Sequence, residues 1–228
     1  MNKLARTLAW VAAGALTGAG LAKLQKMRAK RQEEARELRF GGTRTLETPR
    51  LILRRFTLDD AADMYENWAR DPEVTRFLTW QPHEDEDATY NLLEGWVGRY
   101  EEGDYYNWAI ELKELGKPVG NISVVQQDSR ARRAHVGYCL GRDWWRQGIM
   151  SEALGAVIPY LFSEGYLRVD SRHNVDNPYS GAVMKKCGMK YEGTFKGYEW
   201  DNSGIGDAAF YAILKEDYEK EQGGEGGI

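Results

Sequence analysis

The run Trp-Trp-Arg-Gln-Gly-Ile-Met-Ser-Glu-Ala at Trp144–Ala153 constrains this chain more than any other stretch. It follows a strand-like segment, His135–Leu140. It opens a pattern in which Ile149, Met150, Ala153, Leu154, Val157, Ile158, Leu161 and Phe162 recur at helical spacing. Strand, glycine turn and helix start, in that order, leave backbone N–H groups pointing out of a helix end. Those free donors and the helix dipole both favour negative charge. A phosphate-bearing ligand is therefore expected at Gly148.

Around this feature the chain reads as α/β. Strands are expected at Arg50–Phe56, Tyr105–Glu111, Pro118–Gln127, Arg132–Leu140, Leu167–His173, Lys190–Glu199 and Asp207–Leu214. Helices are expected from Thr57 to about Arg70, over Asp85–Glu102, after Gly148, and from Asn177-Pro178 to a stop at Gly188. Pro159 should kink the third helix or shift its first turns. The order β-α-α-β-β-β-α-β-α-β-β implies a mixed sheet with helices on its faces.

Composition bounds the partners. At 228 residues and 42% hydrophobic content, the chain suits one globular domain plus an appendage. Residues 1–45 hold ten Lys/Arg against three Asp/Glu, and the remainder 21 against 32. A body this acidic, with no basic stripe, argues against nucleic acid. Cys139 and Cys187 are too few for a disulfide framework, which suits a reducing, cytoplasmic setting. His83, His135 and His173 lie far apart and show no metal spacing.

Residues 1–45 form a basic extension with an apolar run, Thr7–Ala22. Its sixteen residues fall short of the ~20 that span a bilayer. Three readings stay open: a short membrane anchor, a cleaved signal peptide, or a loose extension. No convincing Ala-x-Ala cleavage site precedes Lys23, which weakens export. Lysines and arginines after Ala22 would keep an anchored body in the cytoplasm. The glycine-rich tail, residues 219–228, reads as disordered.

Tyr138–Ala153 resembles the acetyl-CoA-binding segment of the GNAT N-acetyltransferases. Asn177–Gly193 is similar to the helix and strand that complete that site. Thr48-Pro-Arg-Leu-Ile-Leu-Arg54 resembles the opening of the ribosomal-protein-alanine N-acetyltransferase branch. The resemblance covers about Leu46–Tyr218 and implies one domain there with the GNAT acyl-CoA N-acyltransferase fold, a mixed, mostly antiparallel sheet flanked by helices. It implies acetyl-CoA as donor, its pyrophosphate on the backbone of Arg146, Gln147, Gly148, Ile149, Met150 and Ser151. The pantetheine arm would add beside Tyr138, Cys139 and Leu140 as an extra strand. No metal is implied. Trp145 and Met150 depart from the family pattern, which has Arg or Gln at the first position and a small residue at the second. Because backbone donors bind the phosphate, the departure bears on loop shape and affinity.

The resemblance also implies direct attack by an acceptor amine on the thioester. Ser180 matches the position that contacts the cofactor arm and can protonate the leaving thiolate; a first-turn helix serine is the plainer reading. Asn177 matches the motif asparagine and also suits a helix N-cap. His135, on the strand entering the site, is a candidate general base, against the plainer reading of a half-exposed strand histidine. The cysteines lack a Cys–His–acid arrangement and read as core. Trp68, Trp80, Trp96 and Trp108 read as core rather than as an aromatic mouth. A protein N-terminus leads as acceptor, ahead of a small-molecule amine such as an amino acid, polyamine or antibiotic. A non-catalytic acyl-CoA-binding module is the reading outside enzymes.

Overall fold

Leu51 and Leu53 are fully buried, while Ile52 and Arg54 beside them are half-buried. That two-residue period marks a strand with one face on a core. In the computed structural model, which describes residues 38–224 with Gly20, Lys23 and residues 25–27, this strand belongs to an eight-stranded sheet. The strands are β1 (Leu46–Glu47), β2 (Leu51–Arg54), β3 (Asn107–Leu112), β4 (Lys117–Asp128), β5 (Arg133–Leu140), β6 (Arg168–Asn174), β7 (Lys190–Asp201) and β8 (Gly204–Leu214). Their order is β1-β2-β3-β4-β5-β6-β8-β7. Only β5 and β6 run parallel. The mixed, mostly antiparallel sheet expected from sequence is present.

The helical segments are α1 (Ala61–Met64), α2 (Pro72–Thr75), α3 (Glu86–Gly98), α4 (Ile149–Glu164), α5 (Pro178–Lys186) and α6 (Lys215–Gly224). The helix expected over Thr57–Arg70 is broken up. It comprises a 3-10 turn (Leu58–Asp60), α1 and a π turn (Tyr65–Ala69). The π turn buries Trp68 and Ala69 together while Asn67 Nδ2 donates to Pro118 O at 2.8 Å. Pro159 does not interrupt α4, which runs unbroken through Glu164. The residue four before it is the exposed Gly155, whose carbonyl is free to turn to water.

Two apolar clusters form the core. The larger holds α4 and α5 against Ala134, Val136 and Val169; the smaller holds α1–α3 around Phe56, Trp68 and Leu93. Trp68 and Trp108 are fully buried, and Trp80 and Trp96 pack on the smaller cluster, so all four serve the core.

Both ends of the body extend past the expected limits. Upstream of Leu46, Gly41 N–H and Tyr106 Oη donate to the buried Glu164 carboxylate. Tyr160 Oη donates to Gly42 O at 2.5 Å, and Trp108 Nε1 to Arg44 O at 2.7 Å. The compact unit accordingly begins at Leu38. Downstream, α6 carries residues 219–224 as helix, where composition suggests disorder. The apolar Thr7–Ala22 run lies, except for Gly20, outside the described residues. Among the described residues no helix is long and apolar enough to cross a membrane.

Candidate active site

The parallel ladder of β5 and β6 lasts three residues, Arg133–His135 against Arg168–Asp170. Beyond it the strands diverge. Ser171 Oγ donates to Val136 O (2.7 Å) at the fork. Strand alternation then aims the N–H and C=O of Tyr138 into the same gap. Leu140 O, two residues on, accepts from Trp145 Nε1 at 2.7 Å.

The gap opens into a cavity of about 550 Å³. The start of α4 lines it. Gly148 is its N-cap in the left-handed region, at φ 76°, and no side chain caps the helix. The first intrahelical bond runs from Glu152 N to Gly148 O. The N–H groups of Ile149, Met150 and Ser151 thus lack helical partners and face the entrance. A Cβ on Gly148 would lie 3.6 Å from both Arg50 Nη2 and Lys186 Nζ. Free donors, a helix dipole and two cations converge on one point, the chemistry of a phosphate site. Glu152 fixes Arg50 there, accepting from its Nε at 2.7 Å, from its backbone N–H at 2.9 Å and from Thr48 Oγ1 at 2.6 Å. Burial alone would raise the Glu152 carboxyl, but these donors hold it below the usual carboxylate range.

On the cavity wall Ser180 Oγ donates to Tyr138 Oη (3.1 Å), and that phenol donates to Ser180 O (3.0 Å). Burial pushes the Tyr138 phenol upward, so it keeps its proton. Asn177 occupies the N-cap position of α5 but makes no capping bond, leaving its amide to the cavity it lines. Arg146 Nη2 donates to Tyr179 Oη at 2.8 Å, joining the loop before α4 to the first turn of α5.

A fork that exposes strand backbone, beside a helix start with free donors and two cations, suits a phosphate-bearing ligand with an extended arm. Residues 50–190 match the acetyltransferase (GNAT) domain model. The chain belongs to the GNAT acetyltransferase family. It is 31% identical over 171 residues to the uncharacterized N-acetyltransferase YoaA of Bacillus subtilis, covering 75% of this chain and 96% of that one. It is 29% identical to the ribosomal protein uS5-alanine N-acetyltransferase of Escherichia coli, covering 67% and 81%. The ribosomal α-N-protein acetyltransferase RimL, solved with coenzyme A, superposes with a TM-score of 0.68 at 22% identity over 75% and 98% of the two chains.

Against this GNAT frame, ten of the residues singled out in sequence line the cavity: Tyr138, Cys139, Leu140, Arg146, Gly148, Ile149, Met150, Ser151, Asn177 and Ser180. Gln147 instead borders a shallower depression beside Gly148, its carbonyl held by Arg50 Nη1 at 2.9 Å. The two departures from the family pattern have structural reasons. Trp145 caps the last carbonyl of β5, and Met150 is buried in the larger core cluster.

His135 requires correction as a candidate base. It is buried and does not line the cavity; its Nδ1 meets Asp170 Oδ1 at 2.5 Å and its Nε2 meets Arg172 Nη1 at 2.8 Å. Both ring nitrogens are engaged on the sheet face opposite α4. Burial pushes the Cys139 thiol up to about 12 and the Cys187 thiol up to about 11, so neither offers a thiolate.

Arg50 and Lys186 were not legible as ligand residues. Lys186 reads in sequence as a helix-end cation, and nothing local shows that the end of α5 returns to the start of α4. The Glu73–Leu78 lip of the cavity was missed for the same reason.

Proposed function

We propose that this protein transfers an acetyl group from acetyl-CoA to the α-amine of a peptide or protein N-terminus. The observation that carries the reading is the convergence of Arg50 and Lys186 on Gly148, which with Lys186, Tyr138 and Ser180 lines one cavity. Acetyl-CoA, when bound, supplies an acetyl group on a thioester. The α4 N–H groups and the two cations would hold its pyrophosphate, and the Tyr138 backbone would pair with its arm. The Tyr138 N–H, aimed into the fork, can donate to a carbonyl oxygen that gains charge. As the C–N bond forms and the C–S bond breaks, Ser180 can pass its hydroxyl proton to sulfur and regain one from water. The amine proton leaves to water.

The lining supports an α-amine. Its carboxylates are Glu73 and Asp176, both exposed, and no histidine lines it. An α-amine, with a pKa near ~8, needs only about 1 kcal/mol to be neutral at pH 7. A lysine ε-amine, near ~10.4, needs several-fold more and a stronger base. The relatives named for ribosomal-protein alanine and serine acetylation point the same way. A donor drawn from cytosolic acetyl-CoA supports a cytoplasmic setting for this reading.

The test is acetyl-CoA-dependent thiol release by the full chain, with products identified by mass spectrometry. Peptides with free N-termini should turn over, and their Nα-blocked forms should not. Turnover confined to lysine, polyamines or aminoglycosides would overturn the acceptor assignment.

A further inference from the structure

Alternation along β6 puts Val169, Ser171 and His173 on the face that carries α4 and α5. His173 is buried and does not line the cavity. Its Nδ1 donates to Asn174 O at 2.7 Å, and its ring lies 5.6 Å from that of Tyr211 at 30° between planes. Burial, with Lys185 adding to it and the carbonyls of Asn174 and Asn177 opposing it, holds the imidazole below its usual range. The ring is therefore neutral at pH 7. A carbonyl only accepts, so the proton sits on Nδ1 and Nε2 presents a lone pair. Nε2 has no hydrogen-bond partner among the described residues.

That nitrogen points at Gly181, the fourth residue of α5. A Cβ on Gly181 would lie 2.4 Å from Nε2, 3.0 Å from Cε1 and 3.1 Å from Cδ2, so the ring meets the helix tip-on. Asn174 O and Tyr211 hold the ring and leave it nowhere to swing. Gly181 has no positive φ, and glycine weakens a helix. The close approach is what calls for glycine here. Ser180, the residue before it, has its hydroxyl on Tyr138 Oη at 3.1 Å. Asn177 N–H donates to Asn174 O at 2.8 Å, so one carbonyl holds both the imidazole and the start of α5.

We infer that His173 is a positioning residue: its ring is the stop on which Gly181 seats α5, and that seat holds the Ser180 hydroxyl against the Tyr138 phenol. This rests on the role of Ser180 proposed above and is independent of which amine is the acceptor. Ser180 and Gly181 share one helical turn, so a helix held off β6 carries the serine with it. Ordinary contact with a Cβ begins at 3.4 Å, so a methyl group on Gly181 would push α5 back by about 1 Å. A misplacement of that size costs up to about a hundredfold in rate.

The experiment measures kcat and KM by acetyl-CoA-dependent thiol release from the full chain, using the acceptor that turns over best in the panel above, with a melting curve for every variant. Gly181→Ala should lower kcat about ten- to a hundredfold, with KM for acetyl-CoA within about threefold of wild type. His173→Ala removes the stop. In that background Gly181→Ala should cost less than about threefold, so the second change rescues the first. Gly95→Ala, at an exposed α3 position where a Cβ meets nothing within 4 Å, should leave kcat unchanged and shows the effect of helix propensity alone. In Ser180→Ala, adding Gly181→Ala should cost nothing further in kcat, because the seat acts through the serine. A contact that serves stability alone would move the melting temperatures and leave kcat of the folded protein where it was. An equal loss of kcat from Gly181→Ala with and without the ring would overturn the inference, as would a loss undiminished in Ser180→Ala. Should Gly181→Ala alone not fold, a double variant that folds and turns over near the His173→Ala rate supports the seat, and one that folds yet stays tenfold slower overturns it. Ser180→Ala at the wild-type rate would refute the role of the serine, and the seat with it, a result distinct from lost coupling to the ring.

Discussion

Gly148→Glu should separate binding from folding. The residue sits at φ 76°, where a side chain costs about 1 kcal/mol of backbone strain. A Cβ there meets only Arg50 Nη2 and Lys186 Nζ, each at 3.6 Å, so the new carboxylate enters between two cations without a clash. Arg50 is 45% exposed, which limits each such pair to about 0.2–1 kcal/mol. Strain and attraction nearly cancel, so the melting temperature should stay within about 4 °C of wild type. Binding has no such offset. The carboxylate takes the place of the pyrophosphate and repels it, removing at least two charge-assisted hydrogen bonds of about 1.5–3 kcal/mol each. Affinity for coenzyme A, measured by calorimetric titration of the full chain, should fall at least about a hundredfold. Gly148→Ala, carrying the strain without bulk or charge at the phosphate, should lose far less. Coenzyme A affinity within threefold of wild type in Gly148→Glu would refute the placement of the pyrophosphate at this helix start.

Arg50→Ala and Lys186→Ala should each weaken coenzyme A binding about three- to tenfold, and the loss should shrink at high salt; salt-independent binding in wild type would count against both cations. Ser180→Ala should lower kcat about ten- to a hundredfold in rate assays with little change in KM for acetyl-CoA, whereas an unchanged kcat would remove the serine from the reaction. Stability should fall in acid. The Asp170 carboxyl, pushed up by burial but pulled down further by His135 and Arg168, sits below its usual range, and Glu152 does likewise. Their contribution is therefore complete above the unfolded carboxylate value near ~4 and lost as pH drops through the folded values, which melts taken between pH 7 and 3 will test. Removing residues 1–45 should destabilise the body by several kcal/mol relative to removing residues 1–37, because only the shorter deletion keeps the Gly41 and Gly42 bonds to Glu164 and Tyr160.

How much of this was legible follows from how local each signal is. The start of α4 is encoded within ten residues, since a glycine between strand and helix fixes both the backbone and the free N–H groups. Strand identities followed from two-residue burial periods, and the order of elements from their succession. The cationic pair at Gly148 was not legible, because Arg50 and Lys186 are 136 positions apart in number and meet only when α5 packs on α4. The break in the helix after Thr57 was hidden too. Its residues have good helical spacing, and the π turn exists to satisfy the burial of Trp68 and the reach of Asn67 to β4. His135 misled because alternation correctly placed it on a strand entering the site but could not say which face of that strand the cavity uses.

What His135 does instead follows from the fork itself. Separating β5 from β6 gives up ladder hydrogen bonds over the rest of both strands, and only three residue pairs remain to hold the join. Side chains reinforce it. His135 on β5 bridges Asp170 and Arg172 on β6; Arg172 continues to Glu199 on β7 through Nε (2.9 Å) and Nη2 (2.6 Å), and Ser171 closes the fork on Val136 O. The polar row lies on the face away from α4, where it can brace the strands without entering the cavity. His135→Ala would leave Asp170 buried with only its arginines, costing about 3 kcal/mol and lowering the melting temperature by about 6–12 °C. Turnover by the fraction still folded should change only a few-fold, and its pH profile should keep its shape. A lost alkaline limb or a thousandfold fall in kcat would return His135 to the chemistry. Otherwise the histidine serves catalysis by holding open the gap into which Tyr138 points.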